Sequence, residues 1–566
     1  MSQPLNQPSD PSAQRITVGE LAVRFMQASG VKTAYGVISI HNMPILDAMH
    51  QRGQVRFVSA RGEAGACNMA DAAARVSGIW GVCITSTGTG AGNAAGALVE
   101  ALTAGTPMLH LTGQIESAYV DRDWGYIHEA PAQLAMLSAV SKAAFRIREA
   151  QSALSILREA HRLAHTPPCG PVSIEIPIDV QAQWMDAPAD VSPLPLTPLP
   201  PDPQRMDVLA QRLGQARRPL LWLGGGARHA GAAVQRLVNM GWAVVSSVQG
   251  RGILAEQHPM SLGAFNVQKP VEALYASVDA MLVVGSRLRS NETLNYKLQL
   301  PATRYRIDAN PLADQRAYSS EYFVHADAHL ALHALADRLQ SRMQIDPHWA
   351  QDVAQARQAA EAQVDASLGP YVALKDSLNR AVAQAGQGVW WVRDITLSNS
   401  MWGNRSLHLD HPRAGVHALG GGIGQGLAMG IGASLAAQAH ALGRKTMALV
   451  GDGGLMLNPG ELACAMQEQA PMVLLVMNDQ RYGVIQNIQD AMYGGRRCYV
   501  DLCTPDFSLL CASLKMPHFL LSSPDMCEPV LAQAMALDGP VMVEVDMNRW
   551  GPFATKFAGP PRKDPA

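Results

Sequence analysis

Three groups of residues in this 566-residue sequence carry side chains suited to chemistry. The first is Gly451-Asp452-Gly453-Gly454, which closes a short apolar run at 446–450. A second apolar run at 472–477 then ends in Asn478-Asp479-Gln480. If both runs are strands of one βαβ unit, Asp452 and Asn478 stand at strand carboxyl ends, where open α/β sheets bind their ligands. A carboxylate, an amide oxygen and a backbone carbonyl form a hard oxygen set that suits Mg²⁺ and leaves room in its shell for phosphate oxygens. The glycines let a phosphate approach the main chain, and helix N-terminal N–H groups favour its charge. Each of these residues is also, by itself, an ordinary turn residue.

The second group centres on Glu63, which follows an expected strand at 56–60 and opens a helix at 62–76 beside the small residues Ala64, Gly65, Ala66 and Ala70. A carboxylic acid in such apolar surroundings can be tuned for proton exchange. A glutamate at a helix start also simply complements the helix dipole. The third group is histidine. His41, His128 and His417 titrate near neutrality when unperturbed and could move protons at a substrate oxygen. The sequence holds 17 histidines, and a satisfied structural histidine is the plainer account of any one of them.

The elements that must position these residues alternate in βα fashion. Strands are expected at 33–35, 56–60, 81–86, 171–177, 220–223, 243–246, 280–284, 305–308, 446–450 and 472–477, and an amphipathic helix at 18–29. Asn458, Pro459 and Glu461 predict another helix, with Asn458 as its cap, Pro459 at the first position and Glu461 at the third. A proline-rich stretch at 186–204 reads as an extended tether, and a Gln/Ala-rich stretch at 340–368 as a helical connector. The fold expected is α/β, with three doubly wound parallel-sheet domains at 14–187, 205–339 and 369–550.

Composition excludes several classes. Lys plus Arg number 45 and Asp plus Glu 47, for a net charge of −2, so no electrostatic footprint for nucleic acid is present. The eight cysteines form no C-x-x-C pair, which argues against zinc and for a reduced, cytoplasmic setting. The polar N-terminus, residues 1–15, has no apolar signal core. The apolar stretch 414–442 is glycine-rich and interrupted by Gln425 and Gln438, so a buried helix is expected there and no membrane span.

Together these segments resemble the thiamine-diphosphate enzymes, in particular the acetolactate synthase, benzaldehyde lyase and pyruvate oxidase group. The spacing from Gly451-Asp452-Gly453 to Asn478 carries the likeness, which covers nearly the whole chain. The three blocks resemble the group's pyrimidine-binding, central and diphosphate-binding domains in that order. The resemblance implies thiamine diphosphate and Mg²⁺ as cofactors, with Asp452, Asn478 and the Gln480 carbonyl as metal ligands. It makes Glu63 the acid that works against the aminopyrimidine. Ala418-Leu419-Gly420-Gly421-Gly422-Ile423-Gly424 is similar to the segment that bends the cofactor, with Ile423 between its rings and the Gly421 carbonyl accepting from its amino group. Further cofactor contacts are implied for Asn93, Ser398, Asn399, Gly453, Gly454 and Gly483. Asp479 departs from the second asparagine usual at its position.

Within the group the signals divide. Leu111-Thr112-Gly113-Gln114 and Ile127-His128-Glu129-Ala130 look like stretches of acetolactate synthase, with His128 replacing a glutamine. Ile488 stands where that enzyme carries a substrate-contacting tryptophan. His41 and His417 are placed like the active-site histidines of benzaldehyde lyase, while His110, followed by Leu111, lacks the paired histidines of pyruvate decarboxylases. Gly224-Gly225-Gly226 and Gly285-Ser286-Arg287 resemble segments of flavin-binding relatives, but no G-x-G-x-x-G is complete, so FAD is disfavoured.

The resemblance therefore implies a C–C lyase or carboligase acting on a 2-oxo acid or a 2-hydroxyketone through a C2 carbanion. An acetolactate synthase or 2-oxo-acid decarboxylase, with or without flavin, is the first alternative. A catalytically silent cofactor-binding paralogue is the second. Because Glu63 and the metal ligands fall in different blocks, the family arrangement implies a homodimer at least, with a homotetramer expected.

Overall fold

A computed structural model describes residues 14–557 and 559. Nineteen strands form three parallel sheets and one short antiparallel pair among these residues. The polar segment expected to lack a signal core lies, up to residue 13, outside them. One compact unit ends at Leu196 and also takes in Leu435–Leu442; Thr197–Ser434 and the chain from Gly443 onward form the other.

The first unit carries a six-stranded sheet in the spatial order Arg56–Ser59, Thr33–Gly36, Gly81–Thr85, Met108–Gln114, Pro171–Pro177 and Ala143–Arg146. The strands Gly81–Thr85, Met108–Gln114 and Pro171–Pro177 are buried throughout. A parallel sheet covered by helices on both faces demands such continuous burial. Its core joins Leu21, Phe25 and Met26 of helix Val18–Ala28 to Leu157 and Ala160 of helix Ala150–His165 and to Val82, Leu109 and Ile174 of the sheet. The first strand, Arg15–Thr17, pairs antiparallel with Trp184–Asp186.

The second unit holds two sheets. The central one has five strands in the order Ala243–Ser246, Pro219–Leu223, Ala280–Val284, Arg304–Asp308 and Tyr322–His325. The other has six: Gly415–His417, Val389–Arg393, Lys445–Gly451, Met472–Asn478, Val541–Asp546 and His518–Leu521. All neighbours in both are parallel. In each six-stranded sheet the chain starts near the middle, moves to one edge and then crosses to the other side. The reversal opens a crevice at the strand carboxyl ends, between Thr33–Gly36 and Gly81–Thr85 in one case and between Val389–Arg393 and Lys445–Gly451 in the other.

The expected fold class is the observed one, and the connector contains the helix Trp349–Leu368. The proline-rich stretch forms no helix before Pro203–Leu213, as its composition requires. Two local expectations are corrected. The stretch 414–442 is not one helix, because Gly415–His417 pairs with Val389–Arg393 as an edge strand and the helix spans only Gly426–Ala439. No helix among the described residues is long and apolar enough to cross a membrane. The helix expected to be capped by Asn458 begins at Glu461, with Gly460 as its cap. The Asn458 amide is engaged elsewhere, donating to the Gly424 carbonyl at 2.9 Å.

Two buried histidines give the first unit a pH dependence. His110 is fully buried between the hydroxyls of Thr85, 2.9 Å from Nε2, and Ser173, 3.1 Å from Nδ1. His161 packs edge-on against Trp80 at 4.9 Å, and its Nδ1 has no hydrogen-bond partner among the described residues. Burial pushes both imidazoles down to about 4, aided at His161 by the neighbouring His165. Below the unfolded value of about 6.5 the unfolded chain takes up protons that the folded one refuses, so the stability present above that value is lost as pH falls towards 4. Each histidine should cost roughly 2 kcal/mol at about pH 5. Urea unfolding at pH 7.5 and 5 should show this loss, and His161→Phe should recover part of it; an unchanged pH slope in the variant would contradict the assignment.

Candidate active site

Two constellations lie at strand carboxyl ends, one on each unit. On the first unit, Glu63 opens the helix Glu63–Ser77, behind an extended Gly62. Its carboxylate is half-buried and accepts a hydrogen bond from Asn93 Nδ2 at 3.1 Å. Asn93 belongs to the helix Thr89–Ala104, which packs closely because of Gly90. A Cβ at residue 90 would lie 2.9 Å from Glu63 Oε1 and 2.8 Å from the Ser86 side chain. The sequence suggests both Glu63 and Asn93, but the glycine that makes room for the carboxylate is visible only in the packing.

His41 follows the strand Thr33–Gly36 and is 4% exposed. Its Nδ1 finds no partner among the described residues, and its ring stands edge-on to that of His128 at 5.2 Å. Burial, and then the charge of His128, lower the His41 pKa below the usual histidine value. Both effects favour the uncharged imidazole. Its carbonyl accepts from Gln181 Nε2 at 2.7 Å, and its main chain passes so close to Gly113 that any Cβ there would collide with the His41 carbonyl. His128 is exposed and has a left-handed backbone (φ 67°), with its carbonyl pressed against Gly88. The Glu129 carboxylate fixes the preceding loop by accepting three backbone N–H groups, from Asp123, Gly125 and Tyr126, each at 3.0 Å.

On the second unit, Asp452 directly follows the strand Lys445–Gly451 and opens the short helix Asp452–Leu455. It is 1% exposed, and its Oδ2 has no hydrogen-bond partner among the described residues. The next strand ends at Asn478, whose Nδ2 donates to Glu544 Oε1 at 2.7 Å while Oδ1 stays buried and without a partner. In the register of the two strands Gly451 lies opposite Met477, so these two bare oxygens stand at adjacent strand ends. Buried polar atoms are seldom left unsatisfied, and a pair of acceptors without donors fits a cation. Gln480 has a left-handed backbone (φ 55°), and its carbonyl accepts from the Leu502 N–H at 2.8 Å, which leaves its second lone pair. Asp479 is pushed up to about 7 by burial and by the charge of Asp452, and Asp452 itself is raised by burial. Among the described residues no cluster of three or more His, Cys, Asp or Glu side chains is placed to hold a metal, so a cation here would need amide and carbonyl oxygen beside the Asp452 carboxylate.

Around this pair the chain is glycine-lined. A Cβ at Gly453 would meet Tyr482 and Leu502 at 2.8 Å, and one at Gly483 would meet Asp479 Oδ2 at 2.6 Å, so neither residue tolerates a side chain without movement. Ser398 and Asn399 lie at the start of a π-helical turn, Asn399–Gly403, and each is 1% exposed with a side-chain oxygen that lacks a partner. Single π turns often mark functional sites. Gly421 and Gly424 adopt positive φ (85° and 89°), and between them Ile423 is 38% exposed, an apolar side chain held at the tip of a turn. His417 is buried, with Nδ1 3.2 Å from the Arg393 carbonyl.

The sequence reading missed Asp394. Its Oδ2 accepts from the N–H groups of Gly424 at 3.0 Å and Gly426 at 3.1 Å, which pins the turn that carries Ile423. Burial lifts its pKa to about 6. A signal existed: an acid directly after the buried strand Val389–Arg393 repeats the strand-end position of Asp452. In the central sheet Gly224, Gly226 and Gly285 approach one another so closely that a Cβ on any of them would collide with the facing backbone.

Comparison with known proteins bears on the same segments. Residues 16–136 match the thiamine pyrophosphate enzyme N-terminal TPP-binding domain, 206–335 the central domain and 398–545 the C-terminal TPP-binding domain. A protein named probable 2-ketoarginine decarboxylase, from Pseudomonas aeruginosa, is 32% identical over 88% of this chain and 88% of its own. The chloroplastic acetolactate synthase 1 of Zea mays is 26% identical over 93% of this chain and 84% of its own. The large subunit of acetolactate synthase isozyme 1 from Escherichia coli is 25% identical over 85% and 84%.

Proposed function

The chain belongs to the thiamine-pyrophosphate-dependent enzymes, in the acetolactate synthase group, and from that premise we propose that it is an Mg²⁺-dependent C–C lyase or carboligase acting on 2-hydroxyketones or 2-oxo acids. When bound, thiamine diphosphate supplies a nucleophilic thiazolium carbon and an electron sink for the bond that is made or broken. Asp452, Asn478 and the Gln480 carbonyl would hold Mg²⁺, and Gly453, Gly454 and Gly483 would let the diphosphate lie against the main chain. Glu63 would hold and release a proton at the pyrimidine ring nitrogen. Ile423 and the Gly421 carbonyl would orient the two rings, with Asn93, Ser398 and Asn399 as further contacts. A homodimer at least, and a homotetramer as the full assembly, is the proposed working form.

One observation carries the lyase reading: His41 is a buried imidazole with a bare nitrogen, and its ring stands against that of His128. Cleaving a 2-hydroxyketone requires a base for its hydroxyl, whereas loss of CO₂ from a 2-oxo acid does not. His41→Ala and His417→Ala should each lower kcat by about 10–10³, with a larger loss for hydroxyketone cleavage than for decarboxylation. Cofactor affinity should stay near that of the wild type. Equal losses on both substrate types would remove the support for a lyase.

A second reading is favoured by the relative named a 2-ketoarginine decarboxylase, which aligns over 88% of the chain. A protein that decarboxylates 2-oxo acids and cleaves no hydroxyketone would decide for it. The visible absorption of a flavin in the purified protein would instead move the central domain towards the flavin-linked relatives.

A further inference from the structure

Glu544 is an acid between the apolar residues Val543 and Val545 of the strand Val541–Asp546, and it is 9% exposed. A carboxylate in such a position loses hydration that its partners must replace. The sheet register shows which partners do so. Val476 lies opposite Glu544, and His518 opposite Met542. Side chains two residues apart share a face of the sheet, so Asn478, Glu544 and His518 step diagonally across three adjacent strands on one side. Their atoms meet along that diagonal. Asn478 Nδ2 donates to Glu544 Oε1 at 2.7 Å, and His518 Nε2 lies 2.9 Å from Glu544 Oε2.

An asparagine amide has a donor end and an acceptor end of nearly the same shape. With the amide turned over, Asn478 would offer N–H groups to a cation and repel it. An ionised carboxylate only accepts, so Glu544 selects the NH₂ end and leaves Oδ1, buried and without a partner, as the atom offered to the site. His518 closes the far end of the chain by occupying the second carboxylate oxygen. We propose that Glu544, held by His518, is a positioning residue that locks the Asn478 amide with its oxygen towards the cation and thereby sets divalent-metal affinity. This rests on the reading of Asp452 and Asn478 as cation ligands. Partners of this kind, which touch a ligand and not the metal, typically govern 10–100-fold in affinity.

The test uses the full chain with saturating thiamine diphosphate and Mn²⁺ as the probe, free Mn²⁺ being counted by electron paramagnetic resonance. Glu544→Val should weaken Mn²⁺ binding by about 10–100-fold, while Glu544→Gln, which keeps an acceptor for the amide, should stay within about 3-fold of the wild type. In an Asn478→Ala background, Glu544→Val should add almost nothing, because the group it orients is gone. Glu544→Ser carries the same expectation as the valine variant should that one fail to fold. Wild-type Mn²⁺ affinity in folded Glu544→Val or Glu544→Ser, or an equal further loss on top of Asn478→Ala, would overturn the proposal. If Asp452→Ala and Asn478→Ala themselves bind Mn²⁺ like the wild type, the cation reading falls first and takes this one with it.

Discussion

Replacing Glu63 by glutamine is expected to slow hydrogen–deuterium exchange at C2 of bound thiamine diphosphate by about 10² or more, within the span of general acid–base contributions. Glutamine keeps the length and shape of the side chain, so it fits above Gly90 and still offers an oxygen to Asn93 Nδ2. What it lacks is an acid proton to exchange with the pyrimidine. Binding of the cofactor and the fold should therefore survive, because the metal ligands belong to another element of the chain, and the effect should appear in rate alone. Acid quenching followed by proton NMR of the released cofactor reads the exchange directly. A wild-type exchange rate would reduce Glu63 to a residue that complements the start of the helix Glu63–Ser77.

Much of this arrangement is legible in the amino-acid sequence. Asp452 and Asn478 were legible because each closes an apolar run, and a short apolar run that ends in turn residues has few alternatives to a buried strand. Glu63 was legible for the same reason, as the first acidic residue after a strand. The short edge strand Gly415–His417 was not, because three residues within a glycine-rich apolar stretch carry no period, and only pairing with Val389–Arg393 makes them a strand. The helix cap at Asn458 was misassigned because local capping chemistry competed with a long-range partner, the Gly424 carbonyl, and lost. Asp394 and Glu544 escaped notice for a related reason. Their work is to hold other residues, the turn at 424–426 and the amide of Asn478, and the partners lie tens of residues away in the chain. Gly90 and Gly113 show the limit most plainly: nothing in the sequence says that either position excludes a side chain, and the clash that does so exists only after folding.

Asp452→Ala should have the largest effect of all, since it removes the only carboxylate from the expected ligand set and leaves Asn478 Oδ1 and the Gln480 carbonyl to hold a divalent ion between them. Removing one member of a buried charge pair costs about 3–5 kcal/mol, or roughly 10²–10⁴ in affinity. Because the diphosphate would be held largely through the metal, affinity for thiamine diphosphate should fall with it and turnover should vanish. The most direct measurement is a calorimetric titration of thiamine diphosphate into the wild type and Asp452→Ala, each with and without Mg²⁺. The wild type should bind tightly only when Mg²⁺ is present, and Asp452→Ala should bind weakly under both conditions. Tight binding by the variant with undiminished dependence on Mg²⁺ would contradict the account, because the cation would then be held somewhere other than between Asp452 and Asn478.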